Sequence, residues 1–304
     1  MIPPYPNFHG EDVVASAPAE ALFHLIAAPF EHSVSYGAGT AAGPEAILAA
    51  SAQLELFTGK GIPAEHGIYT APPVDCSGGV EKTLANIEQA VGAALAHNAI
   101  PVVLGGEHTV SCGVVAALKT RYKEFGVIQF DAHADLRDSY GGSPWSHACV
   151  MRRIHEQGIP IYQLATRSYS LAEHHYRQTH AIAYRDGEEI WQNGCNLTLP
   201  ADFPEKVFIT FDLDGLDSAV MPATGTPVPG GLSWYQAMAF IEAIMASRTC
   251  IGFDVVELAP ITGLHGPDFA AAQLVYNIMD ALCRSPGSRQ FWRLPERSSA
   301  ADES

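Results

Sequence analysis

Basic side chains are scarce in this chain: 17 Lys and Arg stand against 33 Asp and Glu, a net charge of −16 at pH 7. So acidic a surface repels phosphate backbones and anionic headgroups, which argues against nucleic acid and membranes as partners and favours small cations. Charged residues are few overall, 16% of 304 against 47% hydrophobic, which fits a fold that buries much of its surface. Long apolar runs are missing too, since none approaches the roughly 20 residues that a membrane span needs. The opening MIPPYPNFHGEDVV places proline and acid where a signal peptide needs basic residues and then an apolar run, so a cytoplasmic location is expected. The six cysteines (Cys76, Cys112, Cys149, Cys195, Cys250 and Cys283) show no CxxC spacing. Reduced, mostly buried thiols are the expectation, not a disulfide framework.

What the chain does have is an alternation of strand-like and helix-like segments. Strands are expected around 22–28, 67–71, 101–105, 126–131, 160–165, 181–184, 206–212 and 250–256. Helical patterns start near Gly43, Val80 and Ser111, and again in SHACVMRRIHEQG, SWYQAMAFIEAIMAS and PDFAAAQLVYNIMDALC. Runs such as PVVLGG and KVFITFDLD are apolar on both faces, as in a parallel sheet covered by helices on either side. The reading is one α/β domain of about eight parallel strands over residues 1–288, with a loose tail at 289–304. The Gly/Pro-dense MPATGTPVPGGLS reads as a long loop at the carboxyl end of a strand, where α/β folds place ligands.

Four short stretches follow such apolar runs: GGEH ending at His108, DAHAD from Asp131 to Asp135, DLD from Asp212 to Asp214, and DVVE ending at Glu257. Side chains alternate along a strand, so Asp131, His133 and Asp135 face one way, and so do Asp212 and Asp214. The two imidazoles and four carboxylates of the first three stretches suit two divalent cations, and without a cation the cluster would be costly. Oxygen donors with imidazole favour Mn²⁺, although Co²⁺, Ni²⁺ or Zn²⁺ would also bind. A shared carboxylate sets two ions about 3.5–4 Å apart, close enough to activate a bridging water as hydroxide. For any one Asp a salt bridge or helix cap is the better reading; for the set it fails, because too few basic residues lie nearby.

GGEHTV, FDAHADLRD, SHACVMRR, FDLDGLDSAVMPATGTPVPGG and DVVELAP, in that order, resemble the ureohydrolase (arginase/agmatinase) family, and APFEHSVSYGAGTAAGPEAI extends the resemblance back to Ala28. The resemblance implies a three-layer α/β/α, arginase-like fold with a central, mainly parallel sheet. It also implies two Mn²⁺ per subunit, hydrolysis of a guanidino group to release urea, and a homo-oligomer, trimer or hexamer. One ion would take His108, Asp131, Asp135 and Asp212, and the other His133, Asp131, Asp212 and Asp214. Asp135 would orient the metal-bound hydroxide, Glu257 would grip the guanidinium, His147 would protonate the leaving amine, and Thr226 would line the site.

The branch most resembled is agmatinase. Arginases carry Asn where Arg137 stands, so an arginine pocket is not expected. Agmatine, giving putrescine and urea, is the first expectation, aminopropylagmatine the second, and guanidinobutyrate, with Arg137 as carboxylate partner, the third. The block SYGAGTAAGP lacks basic residues common in agmatinases, and ITGLHGPD replaces the usual tyrosine–aspartate. A non-catalytic metal-binding homologue would show broken ligands, and a single-zinc deacylase would need fewer carboxylates. Of the remaining residues, His174, His175 and His180 read as a solvated helix face, and Arg152 and Arg153 as surface or intersubunit ion pairs. Trp145 and Tyr140 read equally as pocket wall or loop packing. A nucleophilic Cys149 is disfavoured beside an acidic metal site.

Overall fold

The strand segments predicted as apolar on both faces become the interior of one sheet. In the computed structural model, which describes residues 6–294, β1 (Phe23–Ala28), β2 (Ile68–Thr70), β3 (Ile100–Gly105) and β4 (Gly126–Phe130) are joined by β5 (Ile161–Leu164), β6 (Ala183–Arg185), β7 (Lys206–Asp212) and β8 (Thr249–Val256). Their order is β2-β1-β3-β8-β7-β4-β5-β6, and every neighbouring pair is parallel. All residues of β1, β3, β4, β5 and β8 are buried, as a sheet covered on both faces requires.

The pleat sorts side chains into two cores. Leu25, Ala27, Phe130 and Phe211 pack with Ile47 and Leu48 of α1 (Gly43–Ser51). Ile26, Ala28, Val103 and Phe208 face the other way, against Ile87 and Val91 of α2 (Val80–Ala96) and Val114 of α3 (Val110–Arg121). Val150, Met151 and Ile154 of α4 (Val150–His155) complete that layer. After α5 (Leu171–Thr179) and α6 (Gly187–Asn193), the first layer is finished by Phe240 of α7 (Trp234–Ser247) and Leu274 of α8 (Gly266–Arg284). The result is the expected three-layer α/β/α sandwich. Among the described residues no helix is long and apolar enough to cross a membrane.

One helix runs from the end of the domain into the stretch read as a loose tail. Ser285 accepts from the Ser288 amide, Pro286 opens the first turn, and α9 (Pro286–Trp292) follows. Trp292 Nε1 donates to the Cys250 carbonyl at 3.0 Å, tying the helix to β8. The rest of the proposed tail, 295–304, lies outside the described residues.

The topology determines where a site can form. The chain leaves β3 for β4 across a gap that β8 and β7 fill later, so β3, β8, β7 and β4 are contiguous at the centre. Their carboxyl ends point the same way, and the loops leaving them meet at a switch point, the crevice where open α/β sheets hold ligands.

Candidate metal centre

Each central strand delivers one motif to that crevice. His108 follows β3, Asp131 follows β4, Asp212 ends β7, and Glu257 follows β8. Two glycines permit the close approach. A Cβ on Gly106 would lie 2.0 Å from the Phe30 carbonyl oxygen, and one on Gly215 would lie 2.9 Å from the Asp131 amide nitrogen. Asp135 and Glu257 hold φ of 51° and 67°, a left-handed backbone that costs a non-glycine residue about 1–2 kcal/mol and recurs where function demands a set geometry.

The side chains converge as two overlapping sets. His108 Nδ1 lies 3.2 Å from Asp131 Oδ2, 3.1 Å from Asp135 Oδ2 and 3.5 Å from Asp212 Oδ2. His133 Nδ1 lies 3.5 Å from Asp131 Oδ1 and 3.0 Å from Asp214 Oδ2. Asp131 therefore turns one oxygen to each imidazole, the placement expected of a bridging carboxylate. His108, Asp131 and Asp212 form one group able to hold a metal ion, and Asp131, His133 and Asp214 form another. Asp212 reaches His108 with Oδ2, while its Oδ1 accepts the Asp214 amide at 2.9 Å.

The donor set fits divalent cations on a specific observation. His108 Nε2 faces Thr210 Oγ1 at 2.8 Å, which leaves Nδ1 directed at three carboxylates, yet this buried nitrogen makes no hydrogen bond with any of them. A ring pinned through one nitrogen with the other aimed into a carboxylate cluster is the arrangement of a metal-ligating histidine.

The electrostatics agree. Burial alone would lower the pKa of His108 and His133, but the surrounding carboxylates raise His108 well above its usual value and push His133 up to about 12. Burial, then Asp214 and Asp131, lifts Asp212 well above the carboxylate range, and burial, then Asp131, pushes Asp135 up to about 7. Burial opposes ionisation of Asp131 as well, yet the two imidazoles hold it well below that range. The cluster thus retains protons to offset its negative charge, the role that cations would fill.

Around these groups a small pocket is lined by Val34, Ser35, Gly37, His133, Asp135, His147, Asp212, Asp214, Gly225, Thr226 and Glu257. His147, Thr226 and Glu257 are therefore brought to the cluster. Glu257 Oε1 accepts the His108 amide at 2.7 Å, and burial pushes its carboxyl up to about 8. Burial lowers the His147 pKa. No Lys or Arg is among the described lining residues. Arg137 does not reach the pocket lining: its Nε lies 3.8 Å from Glu173, and its guanidinium sits 5.2 Å from the Tyr140 ring centroid.

The other candidates find ordinary partners. Arg152 pairs with Glu156 and Arg153 with Asp138, within the chain. Trp145 packs on the core, whereas Tyr140 sets its ring edge-on to His147 at 5.8 Å. His180 meets the His155 ring at a T-shaped angle and the Tyr176 ring at a tilt. Cys149 is buried and its thiol is pushed up to about 11 by burial, which suits no nucleophile.

Sequence reading missed the supports behind the candidate ligands. Gln129 donates to Asp131 Oδ2 at 2.6 Å, and Gln163 donates in turn to Gln129. Ser111 links Thr210, at 3.3 Å, to Asp254, to which it donates at 2.6 Å. A signal existed: Gln129, Gln163, Thr210 and Asp254 are polar residues inside otherwise apolar buried strands, each needing a partner.

Comparison with known proteins gives a consistent result. A family model described as the arginase family matches residues 21–280. An N(1)-aminopropylagmatine ureohydrolase of Synechocystis sp. is 35% identical over 272 residues, covering 86% of this chain and 89% of that protein. An agmatinase of Pyrococcus horikoshii is 29% identical over 274 residues, covering 87% and 93%. The solved structure of an agmatine ureohydrolase of Thermoplasma volcanium matches with a TM-score of 0.81 at 27% identity, covering 97% of this chain and 98% of that one. Fold, carboxylate cluster and sequence together show that the chain belongs to the arginase family, as a hydrolase of the ureohydrolase type.

Proposed function

We propose that this ureohydrolase acts on a guanidine whose tail carries amines and no carboxylate, with N1-aminopropylagmatine the leading candidate and agmatine its shorter alternative. The observation that carries the reading is the pocket lining, which offers Glu257, Asp135, Asp212 and Asp214 and, among the described residues, no Lys or Arg. A carboxylate-bearing tail, as in arginine or guanidinobutyrate, would find no cation there, since Arg137 is engaged by Glu173 and Tyr140. The net charge of −16 favours a polycationic substrate in the same sense. Agmatine was the first expectation from sequence; the longer substrate moves ahead because the Synechocystis relative is named for it.

His108, Asp131, Asp135 and Asp212 would hold one divalent cation, and His133, Asp131, Asp212 and Asp214 the other. Their hard oxygen donors suit Mn²⁺. When bound, the two cations supply Lewis-acid activation of water and charge to offset the carboxylates. The remaining work falls to the chain. Glu257 is anchored through Oε1, so its second oxygen is free to accept a guanidinium N–H, and the cation's arrival favours the ionised carboxyl. Thr226 belongs to the same lining and offers the substrate a hydroxyl. His147, also in the lining, donates a proton to the amine nitrogen as the C–N bond breaks. The fixed lining holds the resonance-stabilised guanidinium carbon in one orientation for attack.

The reading is tested by urea release from Mn²⁺-loaded protein given N1-aminopropylagmatine, agmatine, arginine and guanidinobutyrate. Preference for the first two is expected; preference for arginine or guanidinobutyrate would overturn the substrate assignment.

A further inference from the structure

Glu107 belongs to GGEH, but among the described residues its carboxylate bonds to none of the candidate ligands. It is fully buried, and among the described residues no Lys, Arg or His forms an ion pair with it. Its carboxylate instead gathers donors from one segment: the His32 amide, the Ser33 amide at 2.6 Å and the Ser33 hydroxyl at 2.9 Å, with the Thr109 hydroxyl at 2.7 Å. That segment carries Ser33 and Ser35 onto the two ring nitrogens of His147. Ser33 Oγ lies 3.1 Å from Nδ1 and also accepts the His147 amide at 3.0 Å, and Ser35 Oγ lies 2.9 Å from Nε2.

The proton count along this chain decides the imidazole's form. A serine hydroxyl has one proton to give, and Ser33 gives its own to Glu107. Ser33 Oγ can then only accept, so Nδ1 must be the donor to it. Ser146 Oγ, at 3.3 Å, is a second and longer neighbour of Nδ1. We propose that Glu107, acting through Ser33, is a positioning residue for His147, keeping a proton on Nδ1 so that Nε2, which faces Ser35 of the pocket lining, is the nitrogen that gains and gives up the transferable proton, the ring being the imidazolium before transfer and the Nδ1–H tautomer after it. The inference rests on the reading of His147 as the proton donor. On that reading the leaving amine takes the Nε2 proton, the ring returns to its neutral Nδ1–H form, and solvent restores the proton on Nε2. The arrangement parallels the way a buried acid orients a catalytic imidazole elsewhere, with a hydroxyl interposed. The groups that face or influence the His147 ring are Glu107 through Ser33, the edge of Tyr140, and the more distant charges of His108, His133 and Asp131.

The test uses Ser33→Ala, Ser33→Thr, Glu107→Gln and His147→Asn in the metal-loaded full chain, and reads metal content, kcat and KM across pH, and the ¹⁵N resonances of labelled histidine. The His147→Asn spectrum identifies which signal is His147. Ser33→Ala is expected to keep its metals and KM, lower kcat about tenfold to a hundredfold, and lose the Nδ1–H signature. Ser33→Thr is expected to restore both the kcat and the signature. Ser33→Ala in the His147→Asn background should add no further loss. An Nε2–H tautomer in the unmodified protein, additive losses in the double variant, or metal loss from Ser33→Ala would overturn the relay while leaving the donor role of His147 standing. Should His147→Asn itself leave kcat and its pH profile unchanged, the donor reading would fall, and the relay with it.

Discussion

Glu257 combines a left-handed φ of 67° with a buried carboxyl pushed up to about 8, chiefly by burial, in a pocket whose described lining has no Lys or Arg. Such a group is costly to the fold and useful only when a cation arrives beside it. Glu257→Gln should therefore retain both metals and lose about a hundredfold in kcat/KM, much of it in KM, as steady-state kinetics and metal analysis would show. Unchanged kinetics would remove Glu257 from the binding role. His9 makes a different prediction, on stability. It is buried against Phe8 and Tyr276, neither ring nitrogen finds a hydrogen bond, and burial lowers its pKa from 6.5 to about 4. The unfolded chain thus binds a proton that the fold refuses between those values, so stability is complete above about pH 6.5 and falls as acid is added. By pH 5 the loss from this one group is about 2 kcal/mol. His9→Asn, a residue that tolerates the φ of 63° here, should flatten the pH dependence of the urea midpoint between pH 7 and 5. An equal slope in both proteins would contradict this.

At the scale of elements, strands were the most legible. Long apolar runs read correctly to within one or two residues because burial on both faces leaves no other pattern: 206–212 was expected and Lys206–Asp212 is found. The short outer strand was expected at 181–184 and lies at Ala183–Arg185, where Arg185 bonds to carbonyls of the following loop and apolar patterning gives no signal. Helices α6 and α9 escaped prediction because each is short and half polar, and the Ser285–Pro286 start of α9 read as loop composition. The convergence of the proposed metal ligands was legible because they cluster in sequence behind strands. Ser33 and Ser35 were not, because their partner His147 is 114 and 112 residues away. Gly106 is where an element and the site meet. Gly106→Ala would drive its Cβ into the Phe30 carbonyl and displace the loop carrying Glu107 and His108. The variant should lose metal affinity and melt several degrees lower, measurable by titration and calorimetry. Intact affinity would mean that this close approach does not position the ligands.

For the whole molecule, the six ligand candidates come from the ends of three central strands, so a bound ion cross-links distant parts of the sheet. Anything that binds the fold alone stabilises it by mass action, about 2.7 kcal/mol when present at a hundred times its dissociation constant. Chelating the metals should therefore lower the melting temperature by about 5–10 °C, and adding Mn²⁺ back should restore it. The acidic balance of −16 acts at this scale too, drawing cations toward a crevice whose described lining has no Lys or Arg.

The central claim is a two-cation centre built on Asp131, and the most direct measurement is metal stoichiometry read together with urea release. Metal-stripped protein would be titrated with Mn²⁺ while bound metal and turnover of N1-aminopropylagmatine and agmatine are followed, alongside Asp131→Asn. The account predicts two ions per chain, activity that rises with occupancy of both, and loss of ions and activity together in the variant. A single ion per chain, full activity without metal, or an Asp131→Asn protein that still binds two ions and works would contradict it.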